Sequence, residues 1–221
     1  FQWGRKDPFP WGQIVFDENN VPLTFLTTWN PVQSSGSLGF YENYTGNTWY
    51  ATAHPETFIA TTNATSVDWY YGAGDGNGAS YRNDELWGNP LGYNVGQTTT
   101  KTLFDPCPPG WMVPQPYVFT AFTTTGSSAA VSSGDVHVSG PFLQGWNFLY
   151  DGTNTTYYPG VGFRYDEYAV FSFLSVGCYW SSSPAVSDLA GAAYFGLTAA
   201  NVYIASTDPR GFGLPVRCMR E

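Results

Sequence analysis

Short apolar segments separated by turn-forming residues predict a β-rich chain. Near the C-terminus, residues 178–182, 192–197 and 201–205 are rich in aromatic, small and β-branched side chains, and each segment predicts a strand. Residues 214–219 predict a closing strand that carries a cysteine. No window of the chain keeps an apolar period of about 3.6 residues, so the pattern excludes a helical bundle.

The middle of the chain carries the strongest hairpin signal. Residues 146–150 and 155–158 are strand-like segments on either side of an Asp151-Gly152 turn. Residues 114–122 begin with prolines and predict a helix of one to three turns that ends at Gly126. The segment that follows, 127–140, is small and polar and predicts a weak edge strand or a loop.

The first half of the chain gives weaker signals. Between residues 21 and 47, short apolar patches alternate with Asn, Ser and Gly, which predicts extended segments joined by loops. Residues 54–60 predict a short helix, because Pro55 suits a first helical turn and Glu56 would lie near the positive end of the helix dipole.

Composition supports a loop-rich β protein, and the length suits a single domain over residues 1–221, with one domain plus an extension or two separate domains as alternatives. Charged residues make up 11% of the chain and aromatic residues 19%, and 25 Gly with 16 Pro supply frequent turns. A net charge of −9 with only 8 Lys and Arg makes nucleic acid a poor partner. No apolar run approaches the length of a membrane span. Because the chain starts at Phe1 with neither methionine nor signal peptide, we expect it to be processed from a longer precursor.

Three cysteines, Cys107, Cys178 and Cys218, match no zinc-binding spacing. The simplest interpretation is one disulfide and one spare thiol. A Cys107–Cys218 bridge would close a long loop and contribute roughly 4 to 5 kcal/mol in the chain-entropy model, and it would indicate an oxidising compartment. The alternative is three buried free thiols in a cytosolic protein.

The most polar loop region offers weak calcium candidates. Its oxygen-bearing side chains are Asp75, Asn77, Asn83, Asp84 and Glu85. Calcium prefers such oxygens, but the spacing of an EF-hand is absent. A solvated loop is the favoured interpretation, so no cofactor is predicted and calcium stays an alternative.

Aromatic residues are the main candidates for ligand binding. The chain has 9 Trp, 16 Tyr and 16 Phe, and exposed rings beside Asn and Asp suit carbohydrate or peptide surfaces. The favoured alternative is that these rings pack and hold the long loops in place. The candidates in or beside the polar loops are Trp49, Tyr50, Trp69, Tyr70, Tyr71, Tyr81 and Trp87.

Catalytic chemistry is not predicted. His54 precedes a proline and His137 lies between valines, so neither has the surroundings of a general base. Adjacent carboxylates such as Asp166-Glu167 would point to opposite faces of a strand and seldom act together.

Several motifs together resemble the major-paralogous-domain family of Fibrobacter and Bacteroides surface proteins. They are QWGRKDPF at 2–9, DPCPPGW at 105–111, GFR at 162–164, GCYWSSS at 177–183 and GLPVRC at 213–218. The resemblance implies an α+β, β-rich, C-type-lectin-like fold related to the formylglycine-generating enzyme group. That fold has a twisted antiparallel sheet, two short helices, long loops at 21–100 and chain ends that pair.

The same resemblance implies an exported, cell-surface protein. Such proteins lie at the outer membrane as fimbrillin-like lipoproteins or pilus-associated subunits, and this domain would be the C-terminal module. The resulting hypothesis is a non-catalytic adhesin domain that presents residues 21–92 to a glycan or a surface protein. The alternative is a structural assembly module that holds other fimbrial subunits. An enzyme related to formylglycine-generating proteins is disfavoured, because no second cysteine lies near Cys178 or Cys218.

Overall fold

The fold is α+β and mostly sheet, with antiparallel strands predominating. The computed structural model describes residues 1–8, 14–16, 22–24, 32–34, 44–55, 57–60, 68–70, 83–89, 99–165, 175–185 and 191–221.

Twelve strands, one α-helix and two 3₁₀ helices are assigned within those ranges. In chain order they are β1 (Ile14–Phe16), β2 (Pro22–Thr24), β3 (Val32–Ser34), α1 (Tyr44–Ala53), β4 (Phe58–Ala60), β5 (Trp111–Met112), η1 (Pro116–Phe122), β6 (Val131–Ser132), η2 (Ser133–Asp135), β7 (Gly145–Leu149), β8 (Thr155–Pro159), β9 (Gly177–Pro184), β10 (Gly191–Leu197), β11 (Asn201–Pro209) and β12 (Met219–Arg220).

The main sheet has four strands in the order β6-β11-β10-β9, and all of its neighbours are antiparallel. The strands predicted at 178–182, 192–197 and 201–205 are therefore confirmed as β9, β10 and β11. Strands β7 and β8 form the predicted hairpin, and β6 is the predicted weak edge strand. β3 and β4 pair in parallel, whereas β1 pairs with β2 and β5 with β12 in antiparallel fashion.

The closing strand predicted at 214–219 is wrong in extent, because only Met219–Arg220 is a strand. The preceding residues are held by single hydrogen bonds instead of a ladder. Leu214 donates its main-chain N–H to Phe1 O, and Pro215 O accepts the N–H of Trp180. A proline has no N–H to continue a ladder, which explains the interruption.

The helix predicted at 54–60 is also wrong, since the helix lies before the proline. α1 ends at Ala53, and the N–H of His54 still donates to Tyr50 O over 2.8 Å. A residue that precedes proline disfavours helical geometry, so α1 stops there. Phe58 and Ile59 are then fully buried in β4, and Glu56 lies outside the described residues.

The helix predicted at 114–122 forms as η1, with Pro116 in its first turn, and it ends at Phe122 rather than at Gly126. It packs an aromatic cluster against the main sheet. The ring of Phe119 stacks on Phe195 at 4.4 Å between centroids, and Phe122 stacks on Phe148 at 4.5 Å.

A second core cluster lies where the two described ends of the chain meet. Gln2 and Gly213 form a bridge, and Phe1 O accepts hydrogen bonds from the Leu214 N–H and from Trp180 Nε1. The Cys107–Cys218 disulfide, predicted from the sequence, is present and spans 111 residues. Within the described ranges, no helix is long and apolar enough to cross a membrane.

Candidate functional site

Two of the predicted ligand-binding tryptophans belong to the core. Trp87 is 0% exposed and donates Nε1–H to Phe104 O over 3.1 Å. Trp69 is buried and donates Nε1–H to Trp3 O over 2.6 Å. The burial of both rings agrees with the packing alternative, although the small exposed part of Trp69 lines the cleft described below.

The other predicted aromatic residues differ in exposure. Tyr50 is half-buried and packs against His54 in a tilted arrangement, with 4.3 Å between ring centroids. Tyr70 is half-buried and packs edge-on against Trp69 at 5.8 Å. Trp49 is 65% exposed, which is the exposure expected of a ligand-binding ring. Tyr71 and Tyr81 lie outside the described residues.

A cleft lies between α1, the helix that bears Trp49, and a loop that precedes the disulfide. This α1 cleft has a volume of about 180 Å³. Thr52 Oγ1 donates to Thr48 O over 2.8 Å, so both residues lie on the same helix face and line the cleft. Trp49 is not among the lining residues and lies about 100° round the helix from Thr48, on the neighbouring face. The full lining is Gly4, Arg5, Lys6, Asp7, Thr48, Ala51, Thr52, Trp69, Leu103 and Phe104.

The opposite wall of the cleft is an exposed apolar turn. Leu103 is 87% exposed and Phe104 is 42% exposed. Large apolar side chains at such exposure, grouped beside a cleft, are typical of interaction surfaces rather than of scattered surface residues. Neither residue stands out in the sequence, because a Leu-Phe pair ahead of an Asp-Pro turn does not show whether other parts of the chain will cover it.

Hydrogen bonds between side chains and the main chain hold this Leu103–Phe104 turn in place. Lys6 Nζ donates to Leu103 O over 2.9 Å, and Trp87 Nε1 donates to Phe104 O. The N–H of Phe104 donates to Thr102 Oγ1 over 3.2 Å, and the Thr102 hydroxyl donates to Leu86 O. The two apolar side chains are therefore presented in a preorganised conformation, which lowers the entropic cost of binding.

The buried carboxylate of Asp105 fixes the end of that turn. Its Oδ1 accepts the Cys107 N–H at 2.8 Å and Lys101 Nζ at 2.9 Å, and its Oδ2 accepts the Val113 N–H at 3.0 Å. The DPC motif supplies the signal for the first of these bonds, since Asp commonly accepts from the main chain two residues later. The bond to Val113 depends on the tertiary structure.

Comparisons of this chain with protein-family models, with curated proteins and with solved structures found no match. The resemblance to the major-paralogous-domain family therefore stays a prediction.

In the loop suggested for calcium binding, the described residues Asn83, Asp84 and Glu85 make contacts within the protein. Arg210 Nη2 donates to Asp84 Oδ1, and Arg210 Nη1 lies 3.6 Å from Asp68 Oδ2. The carboxylate of Asp84 is therefore paired with a buried cation. Calcium binding at this loop stays an untested alternative. Glu85 is exposed and donates its N–H to Asn83 Oδ1 over 2.9 Å.

Asp75 and Asn77 lie outside the described residues. In the ranges that are described, no group of three or more His, Cys, Asp or Glu side chains is placed to hold a metal ion.

The spare thiol, Cys178, is buried in β9. Burial, with a smaller contribution from the charge of Asp208, raises the pKa of this thiol to about 12. The thiolate is the reactive form of cysteine, so Cys178 is inert at neutral pH in the folded protein.

Proposed function

We propose that this chain is a non-catalytic binding module that recognises a protein ligand through the α1 cleft and its rim. One observation carries the proposal: the exposed side chains of Leu103 and Phe104 line the cleft, and the turn that bears them is held by hydrogen bonds. Trp49 adds an exposed aromatic ring on the helix that forms the other side of the cleft. Rigid, exposed aromatic and apolar side chains are the usual anchors of protein interfaces.

The chemistry of the cleft favours a protein over a glycan. Glycan sites combine aromatic stacking with several free polar groups, whereas here Leu103 and Phe104 offer apolar surface without hydrogen-bonding side chains. Arg5, Lys6 and Asp7 place charges of both signs at the cleft, which suits the polar rim of a protein interface. Trp49 alone is suited to stacking on a sugar, so a glycan ligand is the second candidate.

We further propose the C-type-lectin-like form of the fold and a location at the cell surface. The pairing of Gln2 with Gly213 supports the C-type-lectin-like fold, because that fold brings the chain ends together. The Cys107–Cys218 disulfide supports export, because such bonds persist in oxidising compartments.

The test compares two exposed leucines. Leu103 lines the cleft, whereas Leu143 is 68% exposed and is not among the cleft residues. Wild-type protein is screened against a panel of purified host and bacterial surface proteins and against arrayed glycans. The variants Leu103→Ser, Trp49→Ala and Leu143→Ser are then measured on every ligand found.

We expect a protein ligand whose Kd rises at least about tenfold for Leu103→Ser and for Trp49→Ala. Leu143→Ser should leave the Kd unchanged. A failure to bind any protein or glycan would overturn the proposal, as would equal losses at Leu103 and Leu143. Binding to glycans alone, lost in Trp49→Ala but kept in Leu103→Ser, would replace the protein ligand by a sugar.

A further inference from the structure

The main sheet has one edge that its own strands cover only in part. β6 pairs with β11 through Val131 and Val202 and through Ser132 and Asn201. β11 itself continues to Pro209. Among the residues that the structure describes, no strand pairs with the outer side of β11 beyond Val202.

The other edge of the sheet is covered by loops. The N–H of Ser182 in β9 donates to Pro114 O over 2.9 Å, and that of Trp180 donates to Pro215 O over 3.0 Å. The two edges therefore differ, and β11 is the one that offers main-chain groups to a partner.

A groove opens at the point where β6 ends. If the β6–β11 register continued, Ala130 would lie opposite Tyr203 and Ala129 opposite Ile204. Instead, the Ala129 N–H donates to Ser127 Oγ over 3.1 Å, which turns the chain away from the sheet. The resulting β11 groove has a volume of about 260 Å³ and is lined by Ser128, Ala129, Ala130, Tyr203, Ile204, Ala205 and Ser206.

We propose that the β11 groove binds an extended segment of another protein chain, which pairs with β11 as an added strand. In this mode of recognition, main-chain hydrogen bonds supply affinity and small pockets select alternate side chains. The lining is uncharged and consists mainly of Ala and Ser. The segment therefore carries small or β-branched, uncharged side chains where it faces the groove.

The geometry favours a single segment over a second copy of this chain. Residues 128–130 form a wall opposite β11, so the occupant must fit between two walls. The β11 edge of a second copy would bring its own residues 128–130 and the rest of its sheet, and these would have to be accommodated against the same wall. A free extended segment has no such attachments.

A bulge in β11 makes this edge selective. Tyr203 pairs with Gly196 and Ser206 with Tyr194, so Ile204 and Ala205 together lie opposite Phe195. Bulges interrupt the regular spacing of an edge and reduce indiscriminate pairing. A segment that binds here must match the irregular register, which restricts the sequences that fit.

The experiment fills the groove in one variant and leaves it open in a matched one. Ala129→Trp places a large ring in the β11 groove. Ala121→Trp makes the same change at another exposed alanine, which lines a separate groove with His137 and Tyr150. The probe is a library of short synthetic peptides composed of Val, Thr, Ala and Ser, with hydrogen exchange of residues 203–206 as a second readout.

We expect library members to bind the wild-type protein and to slow amide exchange at residues 203–206. Ala129→Trp should weaken binding at least about tenfold, whereas Ala121→Trp and Leu103→Ser should bind as wild type does. The inference about the β11 groove does not rest on the function proposed for the α1 cleft. The Leu103→Ser variant tests the two sites separately. Circular dichroism checks the fold, and Ser128→Trp repeats the test if Ala129→Trp is unfolded.

Three results would overturn the inference. The first is a library with no member that binds the wild-type protein. The second is binding that both tryptophan variants keep equally. The third is self-association of the peptide-free protein that Ala129→Trp abolishes, because the occupant would then be a second copy of this chain.

Discussion

Trp87 donates Nε1–H to the main-chain carbonyl oxygen of Phe104 over 3.1 Å, and this bond ties the buried core to the exposed turn of the α1 cleft. Trp87, which the sequence suggested as a ligand-binding residue, is instead buried and supports the Leu103–Phe104 turn through this bond. A change at Trp87 should act on the turn without touching a ligand.

Trp87→Phe should lower the free energy of unfolding by about 1 to 3 kcal/mol, because it removes this bond and leaves unfilled volume in the core. Urea denaturation measures the loss, and hydrogen exchange near Phe104 should become faster. Trp111→Phe is the matched control, since Trp111 is 44% exposed and its loss of ring volume costs about 0.5 kcal/mol or less. Similar losses in both variants would contradict the role of Trp87.

Asp105→Asn should destabilise the protein by about 2 to 5 kcal/mol. The carboxylate accepts three hydrogen bonds while fully buried, and an amide would point an N–H donor at one of those donors. The Tm and the urea midpoint give the measurement. Glu85→Gln, at an exposed side chain, should change the unfolding free energy by no more than about 0.5 kcal/mol. A stable Asp105→Asn variant would show that the carboxylate is dispensable.

Loss of the Cys107–Cys218 disulfide should cost about 4 to 5 kcal/mol, because the bond closes a loop of 111 residues in the unfolded chain. The double variant Cys107→Ser, Cys218→Ser tests this by urea denaturation. Reductant should destabilise the wild-type protein by a similar amount and leave the double variant unaffected. If reductant leaves the urea midpoint of the wild-type protein unchanged, the disulfide is not the source of this stabilisation.

Cys178 should make stability fall at alkaline pH. Burial raises the pKa of its thiol from 9.0 to about 12, so the unfolded thiol loses its proton at a pH where the folded thiol keeps it. The contribution of the protonated thiol to the free energy of unfolding is fully present below pH 9 and is lost as the pH rises from 9 to about 12. Cys178→Ala should flatten this part of the stability profile, and an unchanged slope would contradict the assignment.

The same thiol gives a kinetic test. Alkylation of Cys178 at mildly alkaline pH should proceed only as fast as the protein opens, whereas the urea-unfolded chain should react at once. Urea below the unfolding midpoint should accelerate the reaction in proportion to the unfolded fraction. Rapid alkylation of the folded protein would show that β9 opens locally.

Local patterns in the sequence were enough to place several elements. The Asp151-Gly152 turn fixes the hairpin β7–β8, and alternating aromatic and small residues mark β9, β10 and β11, because turn chemistry and strand periodicity act over a few neighbours. The helix before Pro55 was missed, since α1 has little amphipathic pattern and its end is set by the proline. The disulfide was found from the terminal position of Cys218 and confirmed by the structure.

The sequence by itself determined the β-rich class, the hairpin, the terminal strands and the cysteine pair. Only the tertiary structure decided that Trp87 is buried while Trp49, Leu103 and Phe104 are exposed, and that Asp84 pairs with Arg210 across 126 positions. The reason is physical: a strand or turn depends on adjacent residues, whereas the burial of a ring depends on which distant segment packs over it. Exposure, and with it the candidate surface, is a property of the assembled fold.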